Sequence, residues 1–138
     1  GAAAVLALDQ GLKLWATRAL QPGEVWPMGG RFFRLTRVHN SGAAFGLFPE
    51  GTLAFLVTSA VVVSLLFAYL LWRRPQGLKA WGSALILGGA LGNLIDRARL
   101  GYVLDLFALG NFPVFNVADA ALVLGVGILA LGILRAQK

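Results

Sequence analysis

The sequence predicts an integral membrane protein that is mostly α-helical. It would have four transmembrane helices, a small β-rich segment outside the bilayer and a short interfacial helix. Three observations predict this. Of the 138 residues, 58% are hydrophobic and only 13% are charged, where a soluble domain carries about 25% charged residues. That is too little charge to cover a water-facing surface. Apolar stretches of about 20 residues recur, and that length at 1.5 Å rise crosses a ~30 Å hydrocarbon core. Most basic residues sit between those stretches or at their ends, as in loops at a membrane surface.

The first span is residues 1–20, GAAAVLALDQGLKLWATRAL. It is not a secretory leader: it lacks a basic start, and Asp9 and Lys13 interrupt its apolar run. Those two residues stand i, i+4 in the favourable acid-first order, so they share a helix face and pair. The pair either neutralises itself inside the helix or also supports a functional site from behind. The chain begins at Gly1, already within apolar sequence, so a few native residues are expected to precede it.

Residues 21–50 change character. QPGEVWPMGG reads as loop, and RFFRLTRVHN as a short strand or hairpin arm. The extramembrane β segment is placed at 25–46. Arg31, Arg34 and Arg37 recur every third residue and read as a solvated or headgroup-facing edge. The second span, 52–72, is 21 residues without a charge and ends in Tyr69 and Trp72, as interfacial aromatics do. RRPQGLK is a tight basic turn. The third span is placed at 78–97, with its apolar part Leu78 to Ile95. Gly88 and Gly92 form a GxxxG pattern there, which lets another helix approach closely. Residues 101–115 read as amphipathic, broken by Gly110 and Pro113, and lying at the interface. The fourth span is 116–134.

Four spans put both termini on one side. RRPQGLK and the C-terminal RAQK carry five basic residues on that side, which leans it toward the cytoplasm. The other side holds Arg18, Arg31, Arg34, Arg37, Arg97 and Arg99, so the count alone does not decide. The net charge of +6 is then accounted for by lipid headgroups, and nucleic acid is not needed. Without cysteine, disulfides, thiolate zinc sites and a cysteine nucleophile are excluded. One histidine leaves no multi-histidine metal site, and neither metal nor cofactor is expected.

Three of the six acidic residues, Asp96, Asp105 and Asp119, lie in or beside apolar sequence within 88–119. An ionisable group at membrane depth is costly and suggests function. On this topology they converge at one membrane boundary. Asp96 can pair locally with Arg99 or Arg97, a structural role. Asp119 follows Asn116 by three residues, as in a capped helix start. Asp105 has no basic residue three or four positions away. The break at Gly110 and Pro113 lets Asp105 and Asp119 fold together. Two close carboxylates share a proton, and such a pair can activate water against a carbonyl while its protonated member assists the leaving group. Asn93 and Arg97 share a helix face and could orient a carboxylate or bind a substrate carbonyl. A small proton-coupled transporter and a helix-packing assembly protein remain as other readings. Clustering of the acids at one face and the lack of an inverted repeat count against transport.

Five pieces in order carry a resemblance. They are DQGLK (Asp9 to Lys13), NSGAAFG (Asn40 to Gly46), GGALGNLIDR (Gly88 to Arg97), GYVLDLF (Gly101 to Phe107) and FPVFNVAD (Phe112 to Asp119). With them the chain resembles bacterial lipoprotein signal peptidase, or signal peptidase II, over nearly its whole length. The resemblance implies an intramembrane aspartic peptidase of the bacterial inner membrane, with its active site toward the extracytoplasmic face. It would cut prolipoproteins N-terminal to a diacylglyceryl-modified cysteine, and globomycin-type antibiotics would block it. A monomer working among membrane lipids is expected. The catalytic dyad maps onto Asp105 and Asp119. Asp96 matches a supporting acid, and Asn40, Asn93, Arg97 and Asn116 match polar positions around the site. Asp9 and Lys13 match a first-helix pair, and the family's β-cradle corresponds to Val25 to Gly46. The chain departs from the family at Leu106, where Phe is usual, and in its short N-terminus.

Overall fold

A computed structural model of the protein describes residues 1–27, 32–40 and 52–137. The elements are α1 (Ala2–Ala19), β1 (Val25–Trp26), β2 (Phe33–Asn40), α2 (Thr52–Arg73), α3 (Leu78–Leu100), β3 (Val103–Leu109) and α4 (Val117–Ala136). The NSGAAFG residues after Asn40, and Arg31, lie outside the described residues.

Each predicted span is a helix. Three of them, Leu53–Arg73, Leu78–Leu100 and Val117–Ala136, are long and apolar enough to cross a membrane. The 18-residue α1 is a fourth helix, carrying Asp9, Lys13 and Arg18. α2 leaves Leu53 73% and Leu65 66% exposed, apolar surface that suits lipid rather than water. α3 runs past its predicted end at 97 to Leu100, where Gly101 takes the left-handed conformation (φ 80°) and its N–H closes on the Arg97 carbonyl. A side chain at that φ would be strained, so glycine ends the helix there.

Glycines set the helix spacing. Gly88 and Gly92 of α3 lie against Ala2, Val5 and Asp9 of α1, so the GxxxG pattern is a helix contact as expected. Gly82 and Gly89 of α3 face α4, and Gly125 returns the contact toward Ile86. A Cβ built on Gly82 would come within 2.5 Å of the Leu129 backbone nitrogen. These pairings run α1 parallel to α3, and α4 antiparallel to it. Ser59 of α2 meets Arg97 of α3, which makes α2 antiparallel to α3 as well. The four helices therefore alternate in direction along the chain.

The β segment differs from expectation. The 101–115 stretch forms no interfacial helix. It supplies β3, the third strand of an antiparallel sheet ordered β1-β2-β3. Val103–Leu109 is a short apolar run, and such a run does not distinguish helix from strand by periodicity. Pairing decides it: β2 has an edge to fill, and Val38 sits opposite Asp105 and Asn40 opposite Val103. Alternation then sends Leu104 and Leu106 to one face, where they pack on Ala16 of α1, and Asp105 to the other. The cationic strand is also less solvated than predicted. Arg34 donates to the Gly110 carbonyl at 2.7 Å, and Arg37 to the Thr17 and Leu20 carbonyls. They tie the sheet to the β3 turn and to the end of α1.

Candidate active site

The site forms where α3 ends, α4 begins and β3 crosses between them. Gly110 (φ 50°) turns the chain after β3, and its N–H donates to the Phe32 carbonyl. Phe115 then returns beside Phe107, its N–H and carbonyl both bonded to that residue's backbone. Asn116 is thereby delivered next to Asp105, and α4 starts immediately after it.

Asn116 caps α4. Its Oδ1 accepts from the Asp119 N–H at 2.7 Å, and Asp119 Oδ2 accepts from the Asn116 N–H at 3.2 Å. This reciprocal box satisfies backbone donors that a helix start leaves open. Asp9 of α1 takes another, accepting from the Ala118 N–H at 3.0 Å. The Asn116 amide also donates to Asp105 Oδ1 (3.0 Å), Asn93 Oδ1 (3.0 Å) and the Leu104 carbonyl (3.2 Å). One asparagine thus holds both carboxylates.

Each carboxylate has a second amide donor. Asn93 donates to Asp119 Oδ1 at 2.9 Å, and Asn40 to Asp105 Oδ2 at 3.0 Å. Asn40 is two residues beyond Val38, so it shares Asp105's face of the sheet and reaches it diagonally. Asp105 and Asp119 are 2% and 1% exposed. Burial, and then the nearby charge of Asp119, push the Asp105 carboxyl up to about 7.

Behind these two carboxylates lies a buried ionic cluster. Lys13 bridges Asp9 (2.7 Å) and Asp96 (2.9 Å) and donates to Asn93 Oδ1 at 3.3 Å. The predicted Asp9–Lys13 pair is present, and it lies against Asn93 and the start of α4. Asp96 departs from its expected local arginine partners: its ion pair is with Lys13 of α1. Its carboxylate also accepts from the Leu104 N–H at 3.0 Å, which fixes the entry of β3. Arg97, one position on, stands on a different face of the helix. Arg97 meets α2, with its Nη1 3.3 Å from Ser59 Oγ and its guanidinium 5.5 Å over the Phe55 ring.

Sequence reasoning missed Gln10, whose amide reaches Asp9, Asp96 and the Gly92 carbonyl. Its signal was present, as an uncharged polar residue inside an apolar helix and beside an acid. It also missed Ser59 and Phe55, which no charge or motif marks. Among the described residues, no three His, Cys, Asp or Glu side chains stand together as metal ligands would.

The chain is similar to known proteins in both sequence and fold. The family model for signal peptidase II matches residues 1–135. A lipoprotein signal peptidase of Moorella thermoacetica is 51% identical over 126 residues, covering 91% of this chain and 84% of that protein. One from Halothermothrix orenii is 42% identical over 134 residues, covering 97% and 92%. A bacterial membrane enzyme solved by the in meso method superposes with a TM-score of 0.89 at 27% identity, covering 99% of this chain and 87% of that one. A second such structure gives 0.83 at 27% identity, covering 97% and 90%.

Proposed function

We propose an aspartate pair as the catalytic centre, from the premise that this chain belongs to the signal peptidase II family. It is a membrane peptidase that removes signal peptides from lipoproteins. In our reading Asp105 and Asp119 do the chemistry. The observation that carries this is Asn116, which bonds Asp105 through its side chain and Asp119 through its backbone.

Asp119 starts as the base. It sits at a helix N-terminus and accepts on Oδ1 from Asn93 and on Oδ2 from the Asn116 backbone, so both its oxygens are held as acceptors. Asp105 starts as the acid, since its raised pKa keeps a proton on it up to about pH 7. Asp119 takes a proton from water, and the water oxygen attacks the scissile carbonyl carbon. Asp105 gives its proton to the carbonyl oxygen. The tetrahedral intermediate then collapses with cleavage of the C–N bond, and the leaving amine takes a proton from the dyad. A cleft of about 210 Å³ between α2, α3 and α4 is lined by Phe55, Ser59, Asn93 and Arg97. It gives the substrate a lateral approach, with Arg97 able to hold a peptide carbonyl.

The substrate in this reading is a diacylglyceryl prolipoprotein, cut N-terminal to the lipidated cysteine. α1 is the fourth span, both termini are cytoplasmic, and the dyad faces the extracytoplasmic side of a bacterial inner membrane. The protein acts as a monomer, and globomycin-type inhibitors compete for the same site. Three supports are the alternating helices, the buried Asp9–Lys13 pair and the dense basic turn after α2. The test gives detergent-purified protein a prolipoprotein with and without its diacylglyceryl group. Release of the signal peptide from the lipidated form alone is expected. Equal release from both, or from neither, would overturn the substrate assignment.

A further inference from the structure

The opposite end of the bundle holds a feature that the dyad does not use. There the end of α2, the start of α3 and the end of α4 border an open cleft of about 810 Å³. Arg73, Lys79 and Arg135 line it, with Tyr69 and Gln76. Among the described residues no acidic side chain lines it. α3 begins beside it at Gly77, with no side chain capping its first N–H groups. The positive end of a helix therefore adds to three cationic side chains.

Tyr69 also lines a second space, an apolar crevice of about 410 Å³ between the same helices. Val62, Leu65, Leu129 and Ile133 form its walls. Ser83 lines it as well, is fully buried, and its hydroxyl has no hydrogen-bond partner among the described residues. The helical hydroxyls of Thr17, Thr58 and Ser64 all bond back to the carbonyl four residues earlier. Ser83 makes no such bond, although an orphaned buried hydroxyl is costly. Ser83 is four residues beyond Lys79, about 6 Å deeper along the helix axis.

We infer that this end of the protein binds one anionic phospholipid. Its phosphate sits among Arg73, Lys79 and Arg135, a glycerol ester carbonyl accepts from Ser83, and one acyl chain fills the crevice. The order of groups along the bundle, cationic, then hydroxyl, then apolar, follows the order of groups along such a lipid. The site is remote from Asp105 and Asp119 and does not depend on their assigned roles.

Native mass spectrometry of the full chain in detergent tests this. Phosphatidylglycerol and phosphatidylcholine with identical acyl chains are titrated in parallel, with glycerol phosphate as the soluble control. We expect one phosphatidylglycerol to bind at least about fivefold more tightly than phosphatidylcholine, and glycerol phosphate not to be retained. Lys79→Gln and Arg135→Gln should each weaken phosphatidylglycerol about fivefold, as expected for one headgroup-facing cation, and leave phosphatidylcholine unchanged. Ser83→Ala should weaken both lipids alike, since both carry the ester. Equal binding of the two lipids, or indifference to both charge removals, would overturn the proposal. Retention of glycerol phosphate as tightly as the lipid would reduce the site to a phosphate site and overturn it equally. Thermal melts of the variants separate lost binding from lost folding.

Discussion

At the scale of single residues, Asn116 and Lys13 decide how the acids behave. Asn116→Asp keeps an acceptor for the Asp119 N–H, so α4 stays capped. It removes the amide that donates to Asp105 and Asn93 and adds a third acid beside the pair. Cleavage should fall at least about a hundredfold, the usual worth of placed acid–base groups, while the unfolding temperature changes little. Parallel kinetics and thermal melts check this. Lys13→Met leaves Asp9 and Asp96 without their buried cation, which costs about 3–5 kcal/mol. Adding Asp96→Asn should recover part of that loss, and a double-mutant cycle on unfolding in detergent measures it. The pH profile belongs here too. Asp105 carries its proton below about 7 and loses it above. If it serves as the acid, turnover should fall as pH rises through that value, and a rate rising through pH 8 would exclude the role.

At the scale of elements, glycine position separates packing from propensity. Gly125 and Gly127 are two residues apart on α4. A Cβ on Gly125 would come within 2.8 Å of the Gly82 carbonyl oxygen and of Ile86, whereas one on Gly127 meets nothing within 4 Å. Gly125→Ala should destabilise by about 1–3 kcal/mol through overpacking. Gly127→Ala should be neutral or slightly stabilising, because alanine is the better helix former. Thermal unfolding of the two variants makes the comparison. The same element-level physics explains what could be read from sequence. Helix spans were legible because hydropathy is a local signal that length alone calibrates. The pairing of Asp9 with Lys13 and the capping of α4 were legible because their partners lie three or four residues apart. β3 was not, because its partner strand lies far upstream, 67 positions for the register pair Val38 and Asp105. The partner of Asp96 was missed for the same reason: its cation comes from another helix.

At the scale of the whole molecule, the two ends are chemically distinct. One end carries the sheet and the acids, with exposed Phe32 and Phe112. The other carries the basic cleft, with exposed Trp72 and Trp81. Aromatic side chains at both ends fit the two headgroup levels of a bilayer. The sequence leaned toward this orientation through the density of one basic turn, since total charge was nearly balanced across the two sides. The absence of cysteine permits a clean test. Single cysteines at Gln76 and Asn111 should label from opposite sides of an inner-membrane vesicle, with Gln76 on the cytoplasmic side. Labelling of both from one side would contradict the alternating arrangement.

Asp105 and Asp119 are proposed to act together on water. The most direct measurement is cleavage of a diacylglyceryl prolipoprotein by Asp105→Asn and by Asp119→Asn, each purified in detergent and checked by thermal melt. Both variants should fold and release no signal peptide. Normal release by either folded variant would contradict that joint role.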